Sequence, residues 1–311
     1  MTVVQNELVQ RIADGLVIER VEEMTPEYRH ELRKMLLVAA DTELRSVPML
    51  LSYFEVGVPY RYVNSILAVA QDELGHAHIN YRLLGELGED IGQLLYERPD
   101  AGWHYPYFFD MPIETWAEIA VAEGLGEFAG GILVRNVFQT CSYAPWRRLL
   151  AKVDVEENFH VKFGQQLMRE MAAEPAARAD LQRAVDWMFP LLIEFFGPPA
   201  RAADPQIAYR LKVRTTDQLR IAYLEYAVSL CTELGLRIPA HHDAERGEYV
   251  LDYPFPAAFD PEAKHWDLLR QVEWRSVFDR WKQRGPRAAR NLEWIQRGSR
   301  EMGSWLAQSR A

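Results

Sequence analysis

Glu73-Leu74-Gly75-His76 is a Glu-x-x-His motif, and Glu157-Asn158-Phe159-His160 repeats it 84 residues later. If both lie on helices, the glutamate and histidine of each motif share one face, because residues three apart on a helix are neighbours. Each motif then presents one carboxylate and one imidazole to the same point in space. A single such motif is a common accident of an amphipathic helix, whereas a pair indicates a shared binding site.

The same spacing recurs one helix earlier in each half of the chain. Glu43 precedes Glu73 by 30 residues, and Glu127 precedes Glu157 by 30 residues. Each half is therefore predicted to be a helical hairpin with one glutamate on its first helix and Glu-x-x-His on its second. This pattern predicts an all-α, ferritin-like four-helix di-metal bundle. The six predicted metal ligands are Glu43, Glu73, His76, Glu127, Glu157 and His160.

This ligand set favours iron or manganese, because hard oxygen donors with some nitrogen suit those ions better than zinc or copper(I), which prefer thiolates. Four carboxylates would also balance the charge of two divalent cations. The sequence therefore predicts two iron ions, with manganese as the alternative, in a site that activates dioxygen. No catalytic residue beyond the ligands is predicted.

The ligand on the third helix has an alternative. Glu123 lies four residues before Glu127 and shares its helix face, so either carboxylate could reach the metals. The 84-residue repeat favours Glu127.

Four glycines lie between residues 123 and 131, inside this predicted helix. Each costs about 1 kcal/mol relative to alanine in a helix, so some compensation is expected. One explanation is a widened helix turn, with a substrate pocket beside Gly124, Phe128 and Gly131. The other is close packing against a neighbouring helix.

An acidic residue precedes the glutamate of each motif, Asp72 in the first and Glu156 in the second. Metal-bound histidines commonly donate their other N–H to a carboxylate, which fixes the orientation of the ring. We therefore predict that Asp72 and Glu156 orient the two histidines. The alternative is an exposed charge at the edge of the ligand face.

Helical periodicity dominates the rest of the chain. Thr25 before Pro26 is typical of a helix N-terminus, and Thr215 with Gln218 predicts a capping box. Residues 88–112 and 239–259 are predicted connections, the second with room for a short hairpin. One domain over 1–311 is predicted, with a core bundle over about 26–173 and additional helices and a C-terminal arm over about 174–311. Helices are predicted over about 26–54, 60–87, 113–141, 145–172, 176–196, 215–235, 261–284 and 286–307.

Composition excludes some classes of protein. The chain has 311 residues, of which 49% are hydrophobic, and a net charge of −10, which disfavours a nucleic-acid partner. Its two cysteines, Cys141 and Cys231, form no disulfide framework, and no signal peptide or membrane-spanning stretch is evident. A cytoplasmic location without membrane association is expected.

The two motif regions, with Ser142-Tyr143-Ala144-Pro145, resemble the bacterial phenylacetic-acid catabolic family, and within it the di-iron subunits of phenylacetyl-CoA epoxidases. The resemblance covers nearly the whole chain. It implies an oligomeric oxygenase that works with a separate reductase and a metal-free helical partner subunit. It also implies insertion of oxygen from O₂ into a small aromatic or olefinic substrate, by epoxidation or hydroxylation, with a CoA thioester as one candidate.

The chain departs from that family in two places. Glu127 stands where the family typically has aspartate on the third ligand helix. Residues 64–71 carry no lysine or arginine, although the phosphates of coenzyme A call for basic residues near its entry path. The remaining candidates for such contacts are Arg61, Arg45 and Lys212.

Other functions fit the sequence less well than an oxygenase. A ferritin-like iron-binding oxidase would leave the extra helices unexplained, and a radical generator would have a tyrosine where this chain has Asn80. A non-catalytic scaffold subunit of a multicomponent oxygenase would not need all six ligand types. The chain has no flavin motif, dinucleotide fingerprint or cysteine cluster, which favours a separate reductase. The tryptophans at 266, 274, 281, 294 and 305 could face a partner or cap the core.

Overall fold

The computed structural model describes residues 3–200 and 203–308, and the side chains of residues 7–200 and 203–302. Helices dominate these residues, which confirms the predicted all-α, ferritin-like class. No helix in this part of the chain is long and apolar enough to cross a membrane. The helices are α1 (Val3–Ala13), α2 (Pro26–Val56), α3 (Tyr60–Glu86), α4 (Trp116–Val121), α5 (Glu127–Phe138), α6 (Ala144–Ala172), α7 (Pro175–Glu194), α8 (Pro205–Ala208), α9 (Thr216–Glu233), α10 (Trp274–Gln283) and α11 (Ala288–Gln308).

Two long hairpins form the bundle that carries the motifs. In the first, α2 packs along α3, and in the second, α5 packs along α6. Contacts between α3 and α6 join the two hairpins. The four predicted ligand helices are therefore neighbours in space, each with its motif on a long helix.

Two helix starts follow from local chemistry, as predicted. The Thr25 hydroxyl accepts a hydrogen bond from the backbone N–H of Tyr28 at 3.3 Å, directly before Pro26. At the start of α9, the Thr215 hydroxyl accepts from the N–H of Gln218 at 3.2 Å, and the Gln218 side chain accepts from the N–H of Thr215 at 2.9 Å. This reciprocal capping box satisfies two amide groups that a helix N-terminus leaves unpaired.

The backbone of the glycine-rich run at residues 123–131 departs from a regular α-helix. Residues Ala122–Gly126 form a π-helical stretch between α4 and α5, so the helix turn is widened there. The same region packs closely on α6: a Cβ atom on Gly164 would lie 2.1 Å from the carbonyl oxygen of Glu123. A Cβ atom on Gly124 would lie 2.3 Å from the sulfur of Met168. The run therefore combines a widened helix turn with close packing against α6.

Two antiparallel hairpins follow α9: β1 (Ala240–Asp243) with β2 (Glu248–Leu251), and β3 (Ala257–Asp260) with β4 (His265–Gln271). The first confirms the predicted hairpin. The helix predicted over 261–284 is wrong in its first half, because α10 begins only at Trp274.

The reason lies in the turn between β3 and β4. The Asp260 carboxylate accepts hydrogen bonds from the backbone N–H groups of Glu262 and Ala263, so Pro261 lies in a turn and does not start a helix. Trp266 on β4 then becomes buried and donates its indole N–H to the carbonyl of Trp187 at 2.8 Å.

The C-terminal tryptophans mostly pack within the chain. Trp266 is buried, Trp274 contacts Phe255 edge-on, and Trp281 packs against the main core. Trp294 is half exposed. The side chain of Trp305 lies outside the described residues.

A single domain over residues 1–311 stays a prediction.

A buried ionic network fastens the C-terminal arm to α2. Arg45 is fully buried and donates a hydrogen bond to the carbonyl of Ala288 at 3.2 Å. Its guanidinium lies 3.7 Å from the carboxylate of Asp110, which also accepts from the N–H of Gly285 at 3.1 Å and lies 3.7 Å from Arg284. Arg45 is therefore committed to this network and is not available to an incoming phosphate.

Candidate metal centre

The six predicted ligands converge between the two hairpins and form two groups. The groups share the carboxylate of Glu73, and the ligand atoms within each group lie within 4.8 Å of one another. The first group consists of Glu43, Glu73, His76 and Glu157, and the second of Glu73, Glu127 and His160.

Both imidazoles direct their Nδ1 atom towards the carboxylates. Nδ1 of His76 lies 3.5 Å from Oε1 of Glu157. Nδ1 of His160 lies 3.3 Å from Oε1 of Glu73 and 3.4 Å from Oε2 of Glu127. The ring centroids are 6.1 Å apart. Each histidine therefore turns one nitrogen into the centre and the other away from it.

The donor set fits two divalent cations. Nδ1 of His76, Nδ1 of His160 and Oε2 of Glu157 are buried without a hydrogen-bond partner among the described residues. Buried polar atoms without partners are rare, and each calls for an unseen water or ion. Lone pairs on these nitrogens and oxygens are what a cation would bind, and the arrangement could hold a metal ion in each group.

In the metal-free protein, protonation reduces the electrostatic repulsion between these closely spaced carboxyl groups. Burial raises the pKa of Glu43 well above its usual range, and the neighbouring Glu73 adds to the effect. Burial also raises the pKa of Glu73 to about 7 and that of Glu157 well above its usual range. For His160, burial lowers the pKa, but the carboxylates of Glu127 and Glu73 more than offset this and raise it overall. Metal binding must displace these protons.

The outward-facing nitrogens contact the two acidic residues that precede the motif glutamates, and the contacts cross between helices. Nε2 of His76 on α3 lies 3.1 Å from Glu156 on α6, and Nε2 of His160 on α6 lies 3.2 Å from Asp72 on α3. Burial tends to raise the pKa of Glu156, but hydrogen bonds with Lys152 and His76 outweigh it and lower the pKa. Glu156 is therefore ionised and able to accept the imidazole N–H. That these residues orient metal-bound histidines stays a prediction.

Glu123 is placed differently from Glu127. It lies in the π-helical stretch, is fully buried, and belongs to neither ligand group. Neither of its carboxylate oxygens has a hydrogen-bond partner among the described residues. Burial raises its pKa to about 8, and the charge of Glu127 contributes to the shift. The assignment of Glu127 as the third-helix ligand stays a prediction.

A cavity of about 360 Å³ opens beside the centre. Its lining includes the carboxylates of Glu43, Glu73, Glu127 and Glu157 and the polar side chains of Lys34, Gln206, Lys212 and Thr216. Lys34 is half exposed, so the cavity opens to solvent beside it. Four phenylalanines contribute much of the apolar wall: Phe108, Phe109, Phe195 and Phe196.

The lining of the cavity differs from the set predicted in the sequence. Gly126 and Gly130 line it, whereas Gly124, Phe128 and Gly131 do not. Gly124 faces Met168 on α6, and Gly131 faces the guanidinium of Arg135. Phe128 stacks on Tyr226 with a centroid distance of 3.6 Å. The ring of Phe128 therefore packs against α9.

Sequence reasoning also missed several lining residues. The phenylalanines occur as two adjacent pairs, one in the 88–112 connection and one directly after α7. They have no helical spacing to the proposed ligands, so only their adjacency in the sequence could have drawn attention to them. Of the three basic candidates, Lys212 lines the cavity and forms an ion pair with Asp204 at 2.8 Å. Arg61 pairs with Glu170 at 2.8 Å and does not line the cavity.

Comparison with known proteins identifies the family. A family model described as "Phenylacetic acid catabolic protein" matches residues 1–298. The chain is also similar to one of the subunits of the 1,2-phenylacetyl-CoA epoxidase of Escherichia coli (strain K12), with 29% identity over 254 residues, which cover 77% of this chain and 80% of that protein. Because the family model extends over nearly all of the sequence, the chain belongs to the family of phenylacetic acid catabolic proteins.

Proposed function

We propose that this protein is the oxygen-activating subunit of a multicomponent oxygenase and holds two iron ions between its six carboxylate and imidazole side chains. The observation that carries the proposal is the pair of ligand groups that share Glu73, each with an imidazole Nδ1 that lacks a partner. The proposed ligands are Glu43, Glu73, His76, Glu127, Glu157 and His160. Manganese would fit the same donors, and the similarity to an epoxidase favours iron.

The chemistry requires both a metal and an electron source. Bound iron supplies the redox chemistry that cleaves dioxygen. One substrate molecule, one O₂, two electrons and two protons give the oxygenated substrate and one water. The chain's own residues bind the metals, balance their charge and orient the imidazoles through Asp72 and Glu156. The apolar cavity walls exclude water and hold the substrate beside the centre.

The cavity supports a substrate with a single aromatic ring or an olefin. Its volume of about 360 Å³ lies at the small end of the range for ligand pockets. The phenylalanines suit an apolar reacting group, which the oxygenase would epoxidise or hydroxylate. The similar protein acts, by its name, on phenylacetyl-CoA. A CoA thioester is therefore the first substrate to test, with Lys34 and Lys212 in the cavity lining as candidate contacts for its charged portion.

Partner proteins follow from the electron requirement. The similar protein is, by its name, one subunit of its epoxidase. We propose that this chain likewise receives electrons from a separate reductase and assembles with a helical partner subunit. Both cysteines are buried and lie apart, Cys141 after α5 and Cys231 in α9, so they form no iron–sulfur ligand cluster.

The test combines metal analysis with a single turnover. Protein produced with iron is expected to contain two irons per chain, and a variant with alanine at Glu43, Glu73 and Glu157 is expected to contain almost none. Reduction with dithionite and exposure to O₂ with phenylacetyl-CoA should then give an oxygenated product from the wild type alone. Full dinuclear occupancy in the triple variant would contradict the proposed site. Dioxygen consumption without product, with release of ferric iron, would favour an iron-oxidising protein instead.

A further inference from the structure

Two glycines in the wall of the cavity lie on the third ligand helix, and the backbone does not require glycine at either position. Gly126 has φ −70° and ψ −49°, and Gly130 lies inside α5, so both have a right-handed helical backbone that any residue can adopt. Glycine destabilises a helix interior relative to alanine, because it loses more conformational freedom on folding. Some other property of these two positions must therefore offset the cost.

Close packing does not require glycine at these positions either. A Cβ atom on Gly130 would lie 3.8 Å from Oε2 of Glu157, and no other atom from outside its own helix lies within 4 Å among the described residues. A Cβ atom on Gly126 would lie 3.7 Å from Leu192 and 3.9 Å from Phe108. These are ordinary van der Waals distances, so an alanine would fit at both positions.

Two other glycines nearby show what a steric requirement looks like. A Cβ atom on Gly124 would lie 2.3 Å from the sulfur of Met168, and one on Gly164 would lie 2.1 Å from the carbonyl oxygen of Glu123. Neither of these glycines lines the cavity. Contact between helices therefore accounts for this pair, but it does not account for the pair in the cavity wall.

The pair in the wall lies beside the candidate metal centre. Gly126 and Gly130 are four residues apart, so they share one face of the helix, and Glu127 lies between them and lines the same cavity. Oε2 of Glu157, the nearest atom to a Cβ on Gly130, has no hydrogen-bond partner among the described residues. Both glycines are partly accessible, so the wall next to these carboxylates is bare helix backbone.

We propose that Gly126 and Gly130 determine substrate specificity, because their missing side chains leave room for a planar aromatic ring to lie against α5 beside the metal centre. Side chains four apart on a helix begin roughly 5–6 Å from one another, so the cleared strip suits the breadth of one ring and exceeds the need of an olefin. The proposal rests on the proposed function in taking this cavity as the substrate site. It selects the aromatic ring over the olefin.

Stability and ligand binding should respond in opposite directions. Gly130→Ala should raise the melting temperature by roughly 1–3 °C, because alanine is the better helix former and meets no clash. Its metal content should equal that of the wild type. A lower melting temperature or a lower metal content would overturn the proposal, because the glycine would then serve the fold or the metal site.

Binding is compared with a ring and with a narrow olefin. Toluene and 1-pentene are titrated into the purified full chain by calorimetry, without turnover. The wild type should bind toluene, and Gly126→Ala and Gly130→Ala should each bind it about tenfold more weakly, because a methyl group would occupy the space of the ring. The affinity for 1-pentene should change much less. Gly298→Ala in α11, where a Cβ atom would meet nothing within 4 Å, is the matched control and should bind toluene like the wild type.

The outcomes separate this proposal from the oxygenase function. Absence of toluene binding to the wild type, or equal toluene affinity of the wild type and both cavity variants, would overturn it. An equal loss of toluene and 1-pentene affinity would also overturn it, since the glycines would then not distinguish a ring from an olefin. If the predicted binding pattern appears but the iron-loaded protein forms no oxygenated product, the specificity assignment stands and the oxygenase proposal fails.

Discussion

Glu156 lies 3.1 Å from Nε2 of His76, although it directly precedes Glu157, the glutamate of the other motif. The reciprocal contact joins Asp72 to His160 at 3.2 Å. Each hairpin of the bundle therefore supports the histidine of the opposite hairpin. As a result, the two imidazoles are held in place only when α3 and α6 are in the correct register.

The first prediction concerns these crossed contacts. Glu156→Gln and Asp72→Asn should each weaken metal binding by about 10- to 100-fold, because a carboxylate that accepts the imidazole N–H makes the other nitrogen a better ligand. Competition with a chelator of known affinity measures the effect. Glu86→Gln, at the exposed end of α3, is the control. Metal affinities within twofold of the wild type for both variants would contradict the assigned role.

A second prediction distinguishes the two acidic residues on the third ligand helix. Glu127→Ala should lower the metal content, because Glu127 lies 3.4 Å from Nδ1 of His160. Glu123→Ala should leave the metal content unchanged, because Glu123 belongs to neither ligand group. Elemental analysis of the two variants, prepared side by side, makes the comparison. The reverse order of metal contents would show that the 84-residue repeat pointed to the wrong residue.

A third prediction concerns the dependence of thermal stability on pH. The stability of the metal-free protein should fall as pH rises, whereas the stabilisation by added metal should grow. In the metal-free protein burial raises the pKa of Glu73 to about 7 from an ordinary 4.5. A carboxyl whose pKa is raised by folding stabilises the protein below its unfolded pKa, and this contribution is lost as pH rises through the folded value. The melting temperature of the metal-free protein should therefore fall between about pH 5 and pH 8.

Metal binding should show the opposite trend, because the ligands must lose their protons. Stabilisation by added Mn²⁺ or Fe²⁺ should grow over the same pH range. Thermal unfolding in a pH series, with and without metal, measures both trends. Glu73→Gln removes one of the titrating groups and should make the curve of the metal-free protein less steep. A melting temperature that rises with pH in the metal-free wild type would contradict the predicted direction.

A fourth prediction tests the close approach of α6 to the π-helical stretch. Gly164→Ala should destabilise the protein by about 2–4 kcal/mol, because the added Cβ would lie 2.1 Å from the backbone carbonyl of Glu123. Gly75→Ala is the matched control within α3. A Cβ there would meet nothing within 4 Å, so this change should stabilise by roughly 0.5–1 kcal/mol. Urea unfolding measures both changes, and equal effects of the two would refute the steric argument.

The bundle and the convergence of the six side chains could be predicted because they depend on local periodicity and on spacing along the chain. The caps at Thr25 and Thr215 could be predicted for the same reason, since a cap involves only the next three residues. The β3–β4 hairpin could not, because its register depends on the burial of Trp266 against Trp187, which is 79 residues away. A proline after an acidic residue fits a helix start and a turn equally well.

The crossed contacts of the histidines and the lining of the cavity lay beyond the sequence for another reason. Periodicity places Asp72 beside the ligand face but does not say which histidine it meets, because that depends on the rotation of α3 against α6. Similarly, the stacking of Phe128 on Tyr226 depends on how α5 is rotated against α9. Neither rotation is encoded in the spacing of residues along one helix.

The network around Arg45 can form only late in the synthesis of the chain. The carbonyl that Arg45 contacts belongs to Ala288, which follows 243 positions later in the chain. At about 5–20 residues per second, the ribosome adds Ala288 roughly 12–50 s after Arg45. Glu43 lies only two residues before Arg45 on the same helix. Until the arm is made, α2 packs along α3 without the contacts that Arg45 makes with the arm. We therefore expect the segment of α2 that carries Glu43 to reach its final position only after translation has passed Ala288.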